Sequence, residues 1–365
     1  MISDLHLGSR RPVDILRRPD PLDALCSGLG RIDRLVLLGD VVELRQGPAR
    51  EALATAQPVI EALGSALPPH AEVVITAGNH DYPLVAPWLA ARGLREQPEP
   101  LGVAESFSPE ASPVARAVAG WLGAERQVRV AYPGVWLRDD VWATHGHYLD
   151  RLITIPTFER IAAGGMARVV GRLPEPGEGR ADPDEFEAAL APMYAWLDQL
   201  ANGRAAGGRW TSGAATAKAW SLLSADGRAP LRGKALAALL PLGIAGLNLA
   251  GLGPVRARID SDELRRAGIA AMGGVVQLLG IDAAHVIFGH THCAGPMAWM
   301  DPGDWVIPGA AQLVNAGCWT DEPRINTNDP RSPYRPGSGV LVEDEGPPRL
   351  VRITEDLGQR PEHSF

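Results

Sequence analysis

Lysine is almost missing from this chain. Only Lys218 and Lys234 are lysines among 35 basic residues, and 43 acidic residues bring the net charge to -8. No basic patch stands out, so no nucleic-acid partner is expected. Cysteine is also scarce. Cys26, Cys293 and Cys318 form an odd set without paired spacing, which excludes a disulfide framework and fits a reducing compartment. The first residues are too polar for a secretory signal, so the expected location is the cytoplasm. Only Met1, Ile2 and Ser3 precede Asp4. A strand ending there would have about four residues against the usual five or six, which favours a natural start a few codons upstream. With 365 residues, the chain can bury a sizeable core without disulfides or a structural metal.

Histidine is not scarce, but it is concentrated. Of nine histidines, six lie in five short motifs: Asp4-Leu5-His6, Gly39-Asp40, Gly78-Asn79-His80-Asp81, His145-Gly146-His147 and Gly289-His290-Thr291-His292. Each motif follows a short apolar run that reads as a strand ending in a turn. Strands are expected at 34–38, 72–76, 127–132, 135–138, 141–144, 285–288, 312–315, 339–343 and 349–353. Helices are expected at 49–67, 87–92 and 114–122. Helices between buried strands predict a layered α/β fold of two mixed sheets flanked by helices. Residues 1–150 and 283–365 form the expected core domain.

Residues 151–282 read differently. Strand signals vanish, and helical periodicity runs through 152–170, 183–200, 214–223 and 262–279. This predicts a long helical insert, acting as a cap, between two ligand-bearing motifs. Residues 235–255 carry no charge over 21 positions, a length that could reach across a bilayer. Pro241, Pro254 and Asn248 make it a poor spanning helix. A single crossing would also put His145 on one side of a membrane and His290 and His292 on the other. If these residues share one site, a single span is excluded. The expectation is a buried helix of the insert. The alternatives are a lipid-facing surface making peripheral membrane contact, or a re-entrant hairpin with 268–281.

The motif residues carry oxygen and imidazole ligands. Asp4 and His6 are two apart on a strand and share a face. Asp40 is a carboxylate able to bridge two cations. Asn79 offers an amide oxygen; His145, His290 and His292 offer nitrogens. Seven such ligands exceed the needs of one ion and suit two divalent ions about 3.5–4 Å apart. The mixed donor set accepts manganese, iron or zinc. Any one motif alone is commonly incidental; five at strand ends in one chain are not.

The five motifs together resemble those of the calcineurin-like metallophosphoesterases over about 1–150 and 283–353. The resemblance implies a dinuclear hydrolase of phosphoester or pyrophosphate bonds, with a hydroxide shared between the metals as nucleophile. It implies that Asp4, His6, Asp40 and His292 hold one metal and that Asp40, Asn79, His145 and His290 hold the other. It makes His80 the general acid, with Asp81 orienting it. Ser3 to Gly8, Gly39-Asp40 followed by Glu43, and the helical insert are similar in layout to UDP-2,3-diacylglucosamine hydrolases. This sequence departs from them in carrying His80 where arginine is usual and His147 where aspartate is usual, and its insert is longer. The implied substrate is therefore a phosphoester, lipid-linked and amphipathic or nucleotide-linked. A soluble nucleotide or nucleic-acid phosphodiesterase is one alternative, and a non-catalytic metal-binding scaffold another. Arg10 and Arg11 are candidate phosphate contacts. His147 reads as a contact near the site or as a surface histidine, and Asn315 as a support or substrate contact.

Overall fold

The computed structural model describes residues 1–154, 174, 176–202, 261–307, 311–321 and 329–354. The chain divides into two compact units. One comprises Met1–Gly146 with Asp282–Phe365, the other His147–Ile281.

The first unit is a mixed α/β structure. In chain order it contains α1 (Pro19–Leu29), β1 (Arg34–Leu38), α2 (Ala49–Ala66), β2 (Glu72–Thr76), α3 (Ala86–Gly93), β3 (Glu105–Phe107), α4 (Pro113–Leu122), β4 (Val128–Tyr132), β5 (Gly134–Arg138) and β6 (Val141–Thr144). After the second unit come β7 (His285–Phe288), β8 (Gln312–Asn315), β9 (Ser338–Leu341) and β10 (Arg349–Arg352). One four-stranded sheet has the order β1-β2-β4-β3, parallel except for β3. Another has the order β5-β6-β7-β8, parallel except for β5. Strands β9 and β10 form an antiparallel pair.

The strands form because β-branched and leucine-rich runs bury both faces, as a parallel sheet covered by helices requires. Within β1, Leu35, Val36, Leu37 and Leu38 are all buried. Helix α2 buries Ala52, Ala56, Val59, Ile60 and Leu63, the spacing of one helical face. Pro58 lies inside this helix. Helix α4 begins at Pro113, and the Ser112 side chain caps its Ala115 N–H. One buried apolar cluster draws on both four-stranded sheets: Val36, Leu38, Val74 and Ala131 meet Val135, Ala143, Ile287 and Val314.

A strand ending at Asp4 is reduced to one bridged residue. Ile2 pairs with Leu37, donating to Val36 O and accepting from Leu38 N, while Val340 N donates to Met1 O. This short stretch ties β1 to β9 and brings Asp4 to the edge where β1 ends.

In the second unit, α5 (Pro183–Asn202) and α6 (Ser261–Leu279) pack on a 3-10 turn at His147–Arg151. Tyr148 stacks on Phe186 and donates to Glu187 Oε1 at 2.6 Å. Helix α6 ends at Gly280, whose φ of 63° closes the helix with Gly280 N on Gln277 O and Ile281 N on Val276 O. The expected helix at 214–223, almost all of that at 152–170 and the charge-free 235–255 lie outside the described residues. Among the described residues, no helix is long and apolar enough to cross a membrane.

Candidate metal centre

Four strand ends and one loop deliver the candidate ligands. Asp4 and His6 follow the Ile2 bridge, Asp40 follows β1, Asn79 follows β2, His145 follows β6, and His290 and His292 follow β7. All lie in the first unit, and the structure brings all seven together. Asp4, His6 and His292 place ligand atoms within 4.8 Å of one another, as do Asp40, His145 and His290.

The backbone is specialised at these positions. Asp4, His6, Asp40, His290 and His292 have φ between 44° and 66°, and they are the only non-glycine residues with positive φ among those described. This left-handed conformation costs roughly 1–2 kcal/mol per residue, and such residues cluster at functional sites. The neighbouring glycines have an equally local reason. A Cβ on Gly78 would strike Asp40 Oδ1 and the His145 ring; one on Gly289 would strike Ser3 Oγ and Asp4 Oδ2. Each Gly-ligand pair in the sequence thus reflects another ligand packed against the glycine.

Each carboxylate is held by one oxygen and presents the other. Asp4 Oδ2 accepts from Ser3 Oγ at 2.6 Å and from His290 N at 2.9 Å. Asp4 Oδ1 is buried without a hydrogen-bond partner, 3.3 Å from His292 Nε2 and 3.9 Å from His6 Nε2. Asp40 Oδ1 accepts from His80 N at 2.8 Å. Asp40 Oδ2 faces His6 Nε2 at 3.6 Å on one side and His145 Nε2 at 3.3 Å on the other.

The imidazoles follow the same plan. His6 Nδ1 meets Glu43 Oε2 at 3.1 Å, His145 Nδ1 meets Leu38 O at 3.0 Å, and His292 Nδ1 meets Thr320 Oγ1 at 3.3 Å. The acceptor-only partners on Nδ1 of His6 and His145 make that nitrogen the donor and turn Nε2 into the cluster. Asn79 completes it. Turned one way, its amide accepts from Arg45 Nη1 at 2.7 Å and donates to Asp40 Oδ2 and His290 Nδ1, each at 3.2 Å. Turned the other way, its oxygen faces Asp40 Oδ2 and His290 Nδ1, and lies 3.4 Å from His145 Nε2.

These atoms fit a cation. Donors about 2.1 Å from a common tetrahedral centre stand about 3.4 Å apart, close to the separations seen here. Asp4 Oδ1, without a hydrogen bond of good geometry, and the converging imidazole nitrogens face one another at the separations a shared cation would bridge. Charge points the same way. Burial alone would push the imidazoles down and the carboxylates up. Mutual attraction wins instead. Asp40 and Asp4 raise His145 to about 9, and Glu43 and Asp40 raise His6. Cys318 and Asp4 hold His292 well above its usual value. His145 and His292 lower Asp4 to about 2, and His145, His80 and His6 hold Asp40 well below the carboxylate range. A pocket that retains protons this firmly attracts cations for the same reason. His6, Glu43 and His80 also cluster. Their contacts of 3.1 and 2.7 Å share one Glu43 oxygen and are hydrogen bonds, not a third ligand set.

The other expected site residues fare differently. His80 sits edge-on to His6, with ring centroids 4.6 Å apart. Asp81 does not orient it. The Asp81 carboxylate instead accepts from Gly78 N, Val41 N and Asp40 N at 2.7, 2.7 and 3.2 Å, because the turn after β2 points it back at the Asp40 loop. Glu43 takes the orienting position on His80. Asn315 is no substrate contact: it is fully buried, donates to Gly289 O and Thr291 Oγ1 and accepts from Gly317 N. It braces the histidine loop from β8. Arg10 and Arg11 are exposed, and Arg10 N donates to Gln46 Oε1, whose own amide donates to Glu43. His147 belongs to the second unit. It is buried against Tyr148 and Tyr194, so it is not a surface histidine. Glu43, Arg45 and Thr320 were not anticipated as site residues; the only hint was Glu43 standing three places after Asp40.

The fold and site define a mixed α/β protein with histidine–aspartate clusters that could hold a metal ion. No protein-family model matches the chain, and a search of curated proteins finds no match.

Proposed function

We propose that this protein is a dinuclear metal-dependent phosphoester hydrolase of the calcineurin-like metallophosphoesterase type, built on a layered sandwich of two mixed sheets. The observation that carries this reading is Asp40 Oδ2, which faces His6 and His145 at once and so joins the two ligand groups. Asp4, His6, Asp40 and His292 would hold one divalent ion; Asp40, Asn79, His145 and His290 would hold the other. When bound, such ions polarise phosphoryl oxygens and lower the pKa of a water.

The chain's own residues supply the rest. Glu43 fixes the His80 ring through Nδ1, leaving Nε2 to hand a proton to the departing oxygen. The left-handed turns at five ligands fix where their side chains point before any ligand arrives. Substrate selection is assigned to residues 151–282, the stretch between His145 and His290. A lipid-linked or nucleotide-linked phosphoester is the proposed substrate class, handled in the cytoplasm, with peripheral membrane contact where the substrate is lipid-borne.

The test is a hydrolysis screen over phospholipid, nucleotide-sugar-lipid and soluble phosphoesters, with and without manganese. His80→Ala should keep its metal and lose most turnover, and Asp40→Ala should lose metal and turnover together. Asp40→Ala acting on phosphodiesters as fast as wild type would end the assignment. A protein that binds metal but hydrolyses nothing would favour the scaffold alternative.

A further inference from the structure

Arg45 is buried in the loop that follows Asp40, and its backbone N–H is held by Glu43 Oε1 at 2.9 Å. Its Nη1 lies 2.7 Å from the outer edge of the Asn79 amide. An amide has one acceptor end and one donor end. The inner edge of Asn79 faces Asp40 Oδ2 and His290 Nδ1; its outer edge faces a guanidinium that can only donate. With oxygen out to Arg45 and nitrogen in, the amide satisfies Arg45, Asp40 and His290 together. A cation demands the opposite orientation, oxygen inward, which turns the Asn79 NH2 against the Arg45 guanidinium. Both orientations cannot be satisfied with Arg45 where it stands.

We infer that Arg45 is a positioning residue that competes with the cation for the Asn79 oxygen and so weakens the Asp40–Asn79–His145–His290 position relative to the other. This rests on the reading of the cluster as a two-metal site. Filling the weaker position requires the amide to rotate and the guanidinium to withdraw. The two positions therefore differ in affinity for a reason outside their own ligand sets, and the second ion arrives with a side-chain rearrangement that the first does not need.

The test is calorimetric titration of the metal-free protein with Zn2+, comparing wild type, Arg45→Met and Arg45→Lys. Wild type should take up two equivalents of unequal affinity. In Arg45→Met the weaker equivalent should tighten by about tenfold, the scale of one hydrogen bond to a charged group, while the tighter one stays within about twofold. Arg45→Lys, which keeps the charge but not the fork, should fall between the two. In an Asn79→Asp background, whose two oxygens serve cation and guanidinium together, Arg45→Met should no longer tighten the second equivalent. Tightening is a readout that damage to the fold does not produce. Unchanged or weaker second-site affinity in Arg45→Met, or loss of both equivalents in both Arg45 variants, would overturn the inference while leaving the two-metal reading standing. A wild-type protein that takes no second equivalent would overturn both.

Discussion

Glu43 Oε2 lies 2.7 Å from Nδ1 of His80 and 3.1 Å from Nδ1 of His6. One buried oxygen thus sets the ring of a candidate ligand and that of the candidate proton donor. Burial alone would raise the pKa of Glu43, but the imidazoles of His80 and His6 outweigh it and keep the group ionised far below its usual range. Glu43→Gln should lower turnover by about 10–100-fold, with metal affinity falling less. Steady-state kinetics at saturating metal, beside a metal titration of the same variant, separate the two effects. Wild-type turnover in Glu43→Gln would remove Glu43 from the account.

Metal affinity should rise with pH. In the metal-free protein His145 holds its proton up to about pH 9, against 6.5 for an ordinary histidine, because Asp40 and Asp4 outweigh the cost of burial. A raised folded-state pKa stabilises the fold fully below about pH 6.5, and that stability is lost as pH rises through about 9. A metal needs the Nε2 lone pair, so its binding displaces that proton across the same interval. Calorimetry in buffers of different ionisation enthalpy should show net proton release at pH 7.5. Affinity that is flat between pH 6.5 and 9 would contradict the assignment of His145.

Asp81 should matter through structure. Its carboxylate satisfies the buried N–H groups of Asp40, Val41 and Gly78, and each group left unpaired costs about 1–3 kcal/mol. Asp81→Ala should therefore destabilise the fold and weaken metal binding by at least about tenfold, since it frees the loops carrying Asp40 and Asn79. Thermal unfolding and metal titration report the two losses. A variant that kept stability and metal but lost turnover would return Asp81 to orienting His80.

Away from the site, Arg126 donates to five carbonyls, those of Gly64, Leu67, Pro68, Ala71 and Leu122. It closes the C-terminal ends of α2 and α4, where carbonyls lack helical partners. Arg126→Met should cost about 2–4 kcal/mol and lower the Tm by about 3–5 °C without changing metal stoichiometry. An unchanged Tm would show that these carbonyls find water instead.

Much of this fold was legible in the sequence. The runs at Arg34–Leu38, Glu72–Thr76, His285–Phe288 and Gln312–Asn315 are strands over the expected residues, because each is a short apolar run cut off by a turn. Helix α1 and strand β3 were not foreseen. Strand β3 is only Glu105–Phe107, an edge segment too short to show alternation. The convergence of the ligands was legible because five ligand-bearing motifs each follow a run that reads as a strand; the glycine before Asp40, Asn79 and His290 acquires its reason, another ligand packed against it, only in the structure. The roles of Glu43, Arg45 and Asp81 were not. They depend on which way three loops turn after their strands, and left-handed residues such as Asp40 and His6 set those turns without a sequence signature of their own. For Asn315 the sequence left support and substrate contact both open, and the direction of its buried amide, toward Gly289 and Thr291, was not legible.

The most direct test of the central claim is a Mn2+ titration of the metal-free protein, with hydrolysis of a chromogenic phosphodiester read at each step. Turnover should appear with the second equivalent, level off at two, and be absent from Asp40→Ala. Turnover that ignores metal, or saturation at one equivalent with full activity, would contradict a centre in which Asp40 joins two ions.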